Sequence, residues 1–167
     1  MKKSILLFSA VCLFILGSNT KTFAQQSNQT EIGIRFGGYE NGLNLKYFTN
    51  SNTALEGILG FRPGVVVLTG LYEKQQMAFS EPSLSWYYGV GAHIGGVSND
   101  VYYDRYTGNK YYYRNSGLLL GADAILGLEW KIPNIPFSLS GDLHPRLELA
   151  RGPYLDLEPG ISVRFVF

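Results

Sequence analysis

The chain has 167 residues, enough for one domain, and a formal net charge of +1 from 14 Lys/Arg and 13 Asp/Glu. So even a balance gives no basic face for a nucleic-acid backbone and excludes that class of partner. The single cysteine, Cys12, excludes a disulfide framework.

The start, "MKKSILLFSAVCLFILGSNTKTFAQQ", has two lysines, an apolar run from Ile5 to Gly17 and a polar region ending in Thr22-Phe23-Ala24. It reads as a secretory signal peptide over residues 1–24, too short in its apolar run for a spanning helix. Val11 before Cys12 is not the small residue of a lipoprotein site, so no lipid anchor is expected. Residues 25–30 form a short polar leader, and 31–167 the folded domain.

From Glu31 onward the pattern has period two, the signature of strands. The first strand, about 31–39, sets Ile32, Ile34 and Phe36 against Gly33, Arg35 and Gly37, and "ENG" turns the chain. The second, third and fourth run about 43–49, 54–62 and 65–75, joined by "NSN" and "RPG". The fifth, "LSWYYGVGAHI", opposes Leu84, Trp86, Tyr88, Val90, Ala92 and Ile94 to Ser85, Tyr87, Gly89, Gly91 and His93. In the sixth, "LLLGADAILGLEWKI", Ile125 is the exception on an otherwise polar and glycine-rich face. After "PNIP", the seventh and eighth strands separate Phe137, Leu139, Leu143, Leu147 and Leu149, then Ile161, Val163, Phe165 and Phe167, from charged residues. Pro145 and Pro159 each remove a ladder donor, and bulges or local gaps are expected there.

Eight alternating strands could hide either face. Gly89, Gly91, Gly121 and Gly127 lie on the charged side, where glycine weakens a water-facing strand but makes room in a crowded interior. The polar face is therefore inside and the oily face meets lipid. Aromatics agree: Tyr47, Tyr72, Trp86, Tyr88, Trp130, Phe137, Phe165 and Phe167 fall at one end of the strands, and Phe36, Phe61 and Tyr154 near the other. The fold expected is all-β, an eight-stranded antiparallel up-and-down transmembrane β-barrel in the bacterial outer membrane, with both termini periplasmic. "NSN", the stretch around "SEPS" and "PNIP" become short periplasmic turns, and 95–117 the long outer loop.

"LTGLYEKQQ", "LSWYYGVGAHIG", "GADAILGLEWKIPNIPFSLSGDLHPRLEL" and the final "SVRFVF" resemble the small outer-membrane β-barrel proteins of Bacteroidetes-type bacteria, similar in architecture to OmpA and OmpX barrels. The resemblance implies location and fold and carries over no catalytic motif. The alternating last strand ending in Phe165 and Phe167 looks like the assembly signal read by the barrel-assembly machinery.

Charges in a narrow lumen must pair. The expected network comprises Arg35, Lys46, Glu56, Arg62, Asp123, Glu129, Asp142, His144, Arg146, Glu148, Asp156, Glu158 and Arg164, with Glu73 and Lys131 on the same face. His93 and His144, with Asp142, Glu148 and Ser140, could be imagined as a hydrolase or metal site, but parity turns both histidines inward, away from lipid substrates. No cofactor, metal or catalytic residue is expected. Tyr102, Tyr103, Tyr106, Tyr111, Tyr112 and Tyr113 flank "TGN" in the long loop, a candidate extracellular interaction surface on a protruding hairpin. The expected role is non-enzymatic, structural or surface-interacting, for a monomer whose partners are outer-membrane lipid, the assembly machinery and an unidentified outer ligand. The rival roles are a lipid-modifying enzyme, a soluble lipocalin-like binder and a small pore.

Overall fold

The computed structural model describes residues 29–38, 40–98, 101–103, 110–112, 117–150 and 153–167. The expected signal peptide, most of the polar leader, and Tyr106 and Tyr113 lie outside the described residues.

The strands are β1 (Thr30–Gly37), β2 (Asn41–Asn50), β3 (Thr53–Arg62), β4 (Val65–Ala78), β5 (Glu81–Val97), β6 (Val101–Tyr103), β7 (Lys110–Tyr112), β8 (Gly117–Lys131), β9 (Phe137–Glu148) and β10 (Tyr154–Val166). Eight of them close into one barrel in the order β1-β10-β9-β8-β5-β4-β3-β2, and β6 and β7 pair as a separate antiparallel ladder inside the long loop. Each strand pairs with its sequence neighbours in the barrel, and β1 closes on β10. Closure leaves no edge to satisfy in hydrocarbon, which is why a barrel rather than an open sheet can span a bilayer.

The inside-out surface is plain along every barrel strand. Ile32, Ile34, Leu43, Leu45, Leu68, Val90, Leu126, Leu128, Leu143 and Ile161 are exposed, while Arg35, Lys46, Glu56, Glu73, His93, Glu129, His144 and Arg164 are buried. A water-soluble sandwich inverts this order; a transmembrane barrel of the outer-membrane type requires it. Among the described residues no helix is long and apolar enough to cross a membrane.

Turns follow local chemistry. Pro63-Gly64 joins β3 to β4 with Gly64 at φ 71°, the left-handed position that glycine fills without strain. The β4–β5 connection differs from the "SEPS" loop expected. β4 runs on to Ala78, β5 begins at Glu81, and the turn is the two residues Phe79 and Ser80 at φ 52° and 59°. Positive φ at both central residues is the hairpin-matched turn that normally selects Asn and Gly, and it costs about 1–3 kcal/mol for each other residue held there. The "ENG" turn is also displaced: β2 starts at Asn41 and Glu40 is buried in the lumen.

The two prolines produce gaps and no bulge. The β9–β10 ladder runs unbroken through Leu157↔Pro145 and Pro159↔Leu143. On the other side of β9, pairing to β8 stops between Asp123↔Arg146 and Leu126↔Leu143, with the same register on both sides. The β1–β10 ladder ends at Gly37↔Gly160, just short of Pro159. Each proline thus turns its missing donor toward a strand it does not pair with. Pro145→Ala restores one donor to the β8–β9 seam and is expected to raise the guanidinium unfolding free energy in detergent by about 1 kcal/mol. A decrease would show that the ring's packing outweighs the bond.

Candidate functional site: the sealed lumen

Inward side chains meet in three layers between the end carrying the chain termini and the far end carrying the long loop. In the layer nearest the termini, Arg164 on β10 reaches three strands at once. Its Nε lies 3.1 Å from Glu31, Nη1 3.2 Å from Glu56 and Nη2 2.6 Å from Glu129. Lys46 on β2 sits between Glu73 at 2.9 Å and Glu129 at 3.1 Å, with its Nζ 4.2 Å from the centre of the Tyr87 ring. Gln75 and Asn44 donate to Glu129 and Glu56, and Ser138 to Glu31. Lys131 closes the mouth against Glu31 at 3.1 Å and lies 4.4 Å from the centre of the Phe48 ring.

The middle layer is partly apolar. Ile58, Leu71, Tyr87 and Ile125 pack together, so the inward Ile125 that broke the sequence pattern is a member of a lumen core. Tyr87 donates its hydroxyl to Asp142 at 3.0 Å, and Arg35 grips the same carboxylate with both terminal nitrogens at 2.7 and 2.6 Å. A bidentate guanidinium–carboxylate pair is among the strongest of side-chain contacts. Crowding here explains two glycines. A Cβ on Gly127 would stand 2.6 Å from the Tyr87 ring and 2.7 Å from Asp142, and one on Gly160 would collide with the Arg35 guanidinium.

In the far layer Asp123 takes His93 at 2.8 Å, His144 at 3.1 Å and Arg146 at 3.3 Å. The second ring nitrogen of His93 lies 3.2 Å from Glu148. Glu40 accepts from Thr69 and pairs with Arg146 at 3.2 Å, while Glu158 accepts from the Glu40 backbone N–H at 2.6 Å. Val65, Val67, Val97 and Leu119 make an apolar lining on one side of the same mouth. A niche of about 20 Å³ beside Arg62, His93, Arg146, Glu148, Tyr154 and Asp156 has room for one water.

The expected lumen residues are thus gathered, but into separate layers. Arg62 and Asp156 stand half-buried at the far mouth. Sequence reasoning missed Glu31 and Glu40, both wholly buried, and Phe48, which lines the terminal mouth. Glu31 was legible by parity with Gly33 and Arg35. Glu40 was hidden because it was assigned to the turn. His93 and His144 each contact carboxylates and neither lies at the lipid-facing surface; Ser140, also buried, has no place in either contact set. Among the described residues no group of His, Cys, Asp and Glu is arranged to hold a metal ion.

Neither a known protein family nor an individually characterised protein matches this sequence. Solved structures do: a de novo designed transmembrane β-barrel superposes with TM-score 0.53 at 12% identity, covering 86% of this chain and 98% of that one. Ail, the attachment invasion locus protein of Yersinia pestis, superposes with TM-score 0.47 at 15% identity, covering 84% of this chain and 99% of that one. At 12% identity the first likeness is one of fold.

Removing Arg164 leaves Glu56 with no cation within ion-pair distance and Glu31 and Glu129 each to a lysine, Lys131 and Lys46. Arg164→Met is expected to destabilise the barrel by about 3–5 kcal/mol in chemical unfolding, against less than about 1 kcal/mol for an exposed charge such as Glu81→Gln. Equal effects would show the layer to be dispensable.

Proposed function

We propose that the protein is a non-conducting, non-enzymatic barrel of the bacterial outer membrane, of the small-barrel kind that its sequence resembles in Bacteroidetes-type bacteria. Its termini are periplasmic, and it serves as a rigid mount for the long outer loop. The observation that carries this reading is the lumen: Arg164, Lys46, Tyr87, Ile58 and His144 are wholly buried where a channel would need water. Interiors of eight-stranded barrels are filled in this way, whereas wider barrels leave an aqueous path. A soluble binder is disfavoured because its oily face would be the exposed one. A lipid-modifying enzyme is disfavoured because both histidines are spent on carboxylates inside the wall.

The orientation rests on the connections. At the terminal end the turns are Ser51-Asn52, Phe79-Ser80 and Pro133–Pro136, all short, while the 98–116 connection opens at the other end and holds the β6–β7 ladder. Short turns inward and long loops outward are the outer-membrane arrangement. The backbones of Tyr102, Tyr103, Tyr111 and Tyr112 lie in that ladder, Tyr102 directly opposite Tyr111. Such a ribbon offers aromatic contact area at low entropy cost, suited to a glycan or protein outside the cell. Phe165 and Phe167, whose rings meet edge to face at 5.0 Å at the barrel's last strand, fit an assembly signal.

Purified protein in planar bilayers is expected to show no steady conductance. Replacing all six loop tyrosines by serine is expected to abolish binding of surface-displayed protein to target cells or glycan arrays, with heat-modifiable gel migration unchanged. Steady ion conductance of the native barrel would defeat the sealed-scaffold reading, and unchanged binding would defeat the role of the loop.

A further inference from the structure

The turn between β4 and β5 contradicts both turn chemistry and solvent preference. Phe79 occupies a left-handed position at φ 52°, where Asn or Gly would sit without strain, and is 85% exposed. Met77 beside it, next to the irregularity in the β4–β5 ladder, is 59% exposed. A water-facing hairpin tip gains nothing from an aromatic in that place.

Its level in the wall supplies the missing partner. Trp86, stacked on Tyr88 at 5.2 Å between ring centres, belongs to the aromatic belt at the terminal end, and its partner across the ladder is Gln76. Phe79 follows Gln76 by three residues, about 10 Å of extended chain, and by less in depth because barrel strands tilt. The layer between hydrocarbon and water is about 5–8 Å thick on each side of a bilayer. Phe79 therefore reaches no farther than the headgroups. The neighbouring β8–β9 turn has the same character, with Ile135 44% exposed between Pro133 and Pro136. The β2–β3 turn is polar throughout, Asn50-Ser51-Asn52. Glu81, the one acid at the tip, is turned back on the chain, accepting from the Ser83 hydroxyl at 2.9 Å.

We propose that the Phe79 turn, flanked by the Ile135 turn, is a membrane-interface anchor: an apolar extension of the lipid-facing band that sinks into the headgroup layer on the β4–β5–β8–β9 side only. The partner is the lipid surface itself. The footprint is lopsided, with the β2–β3 turn left in water, and lipid contact offsets the strain at Phe79 and Ser80.

The test uses the chain without residues 1–24, which has no cysteine of its own. Phe79→Cys and Ser51→Cys are each labelled with an environment-sensitive fluorophore in nanodiscs containing headgroup or shallow-acyl spin-labelled lipid. At least twofold stronger quenching at 79 than at 51 is expected, and equal quenching overturns the proposal. Phe79→Asn gives an independent reading, because Asn suits the left-handed position. If the turn were only a turn, this change would raise the guanidinium midpoint in phospholipid vesicles. Loss of the anchor lowers it, and a rise overturns the proposal.

Discussion

Arg164 ties β10 to Glu31 on β1, Glu56 on β3 and Glu129 on β8. A single guanidinium spanning the lumen in this way is possible only because the wall is closed and narrow. The cost of burying its charge falls to a tolerable level only because three carboxylates surround it. Lys46, Gln75, Asn44 and Lys131 are arranged around the same carboxylates, so the layer nearest the termini behaves as one unit. Everything else in the interior is placed above this knot.

Such a lumen inverts the usual relation between core and surface. In lipid, apolar burial between strands drives little, since hydrocarbon outside is as favourable as hydrocarbon inside. What distinguishes the native register from its neighbours is the pairing of ions, since a one-residue slip would send charges into lipid and leucines into the knot. The small apolar cluster of Ile58, Leu71, Tyr87 and Ile125 packs beside the Arg35–Asp142 pair, between the two more highly charged layers.

Much of this was legible in residue types alone. The strand count, the oily and charged faces, the inward glycines and the inward Ile125 all appear in the period-two pattern, because each residue's side of the wall is decided by its immediate neighbours. Errors arose where the pattern met a turn. Glu40 read as loop because Asn41-Gly42 is a strong turn signal, yet those residues open β2. The β4–β5 turn was placed around Ser80-Glu81-Pro82-Ser83, too wide and slightly late, because neither Phe79 nor Ser80 favours positive φ and Glu81-Pro82-Ser83, which open β5, looked more like a connection.

Partnership across the lumen was beyond any local reading. Arg35 and Asp142 are 107 residues apart, and their fork forms because β1 and β9 flank β10 and the registers of both strands on it bring the two side chains to neighbouring heights. The stagger of paired strands also divides one list of inward charges into separate layers and sets Pro145 at a seam with β8 while leaving its ladder with β10 intact. The sequence by itself determined which side of the wall each residue takes, since that depends on alternation along a single strand. Only the tertiary structure decided which charges meet, because contact across a barrel depends on the accumulated register of every strand between them.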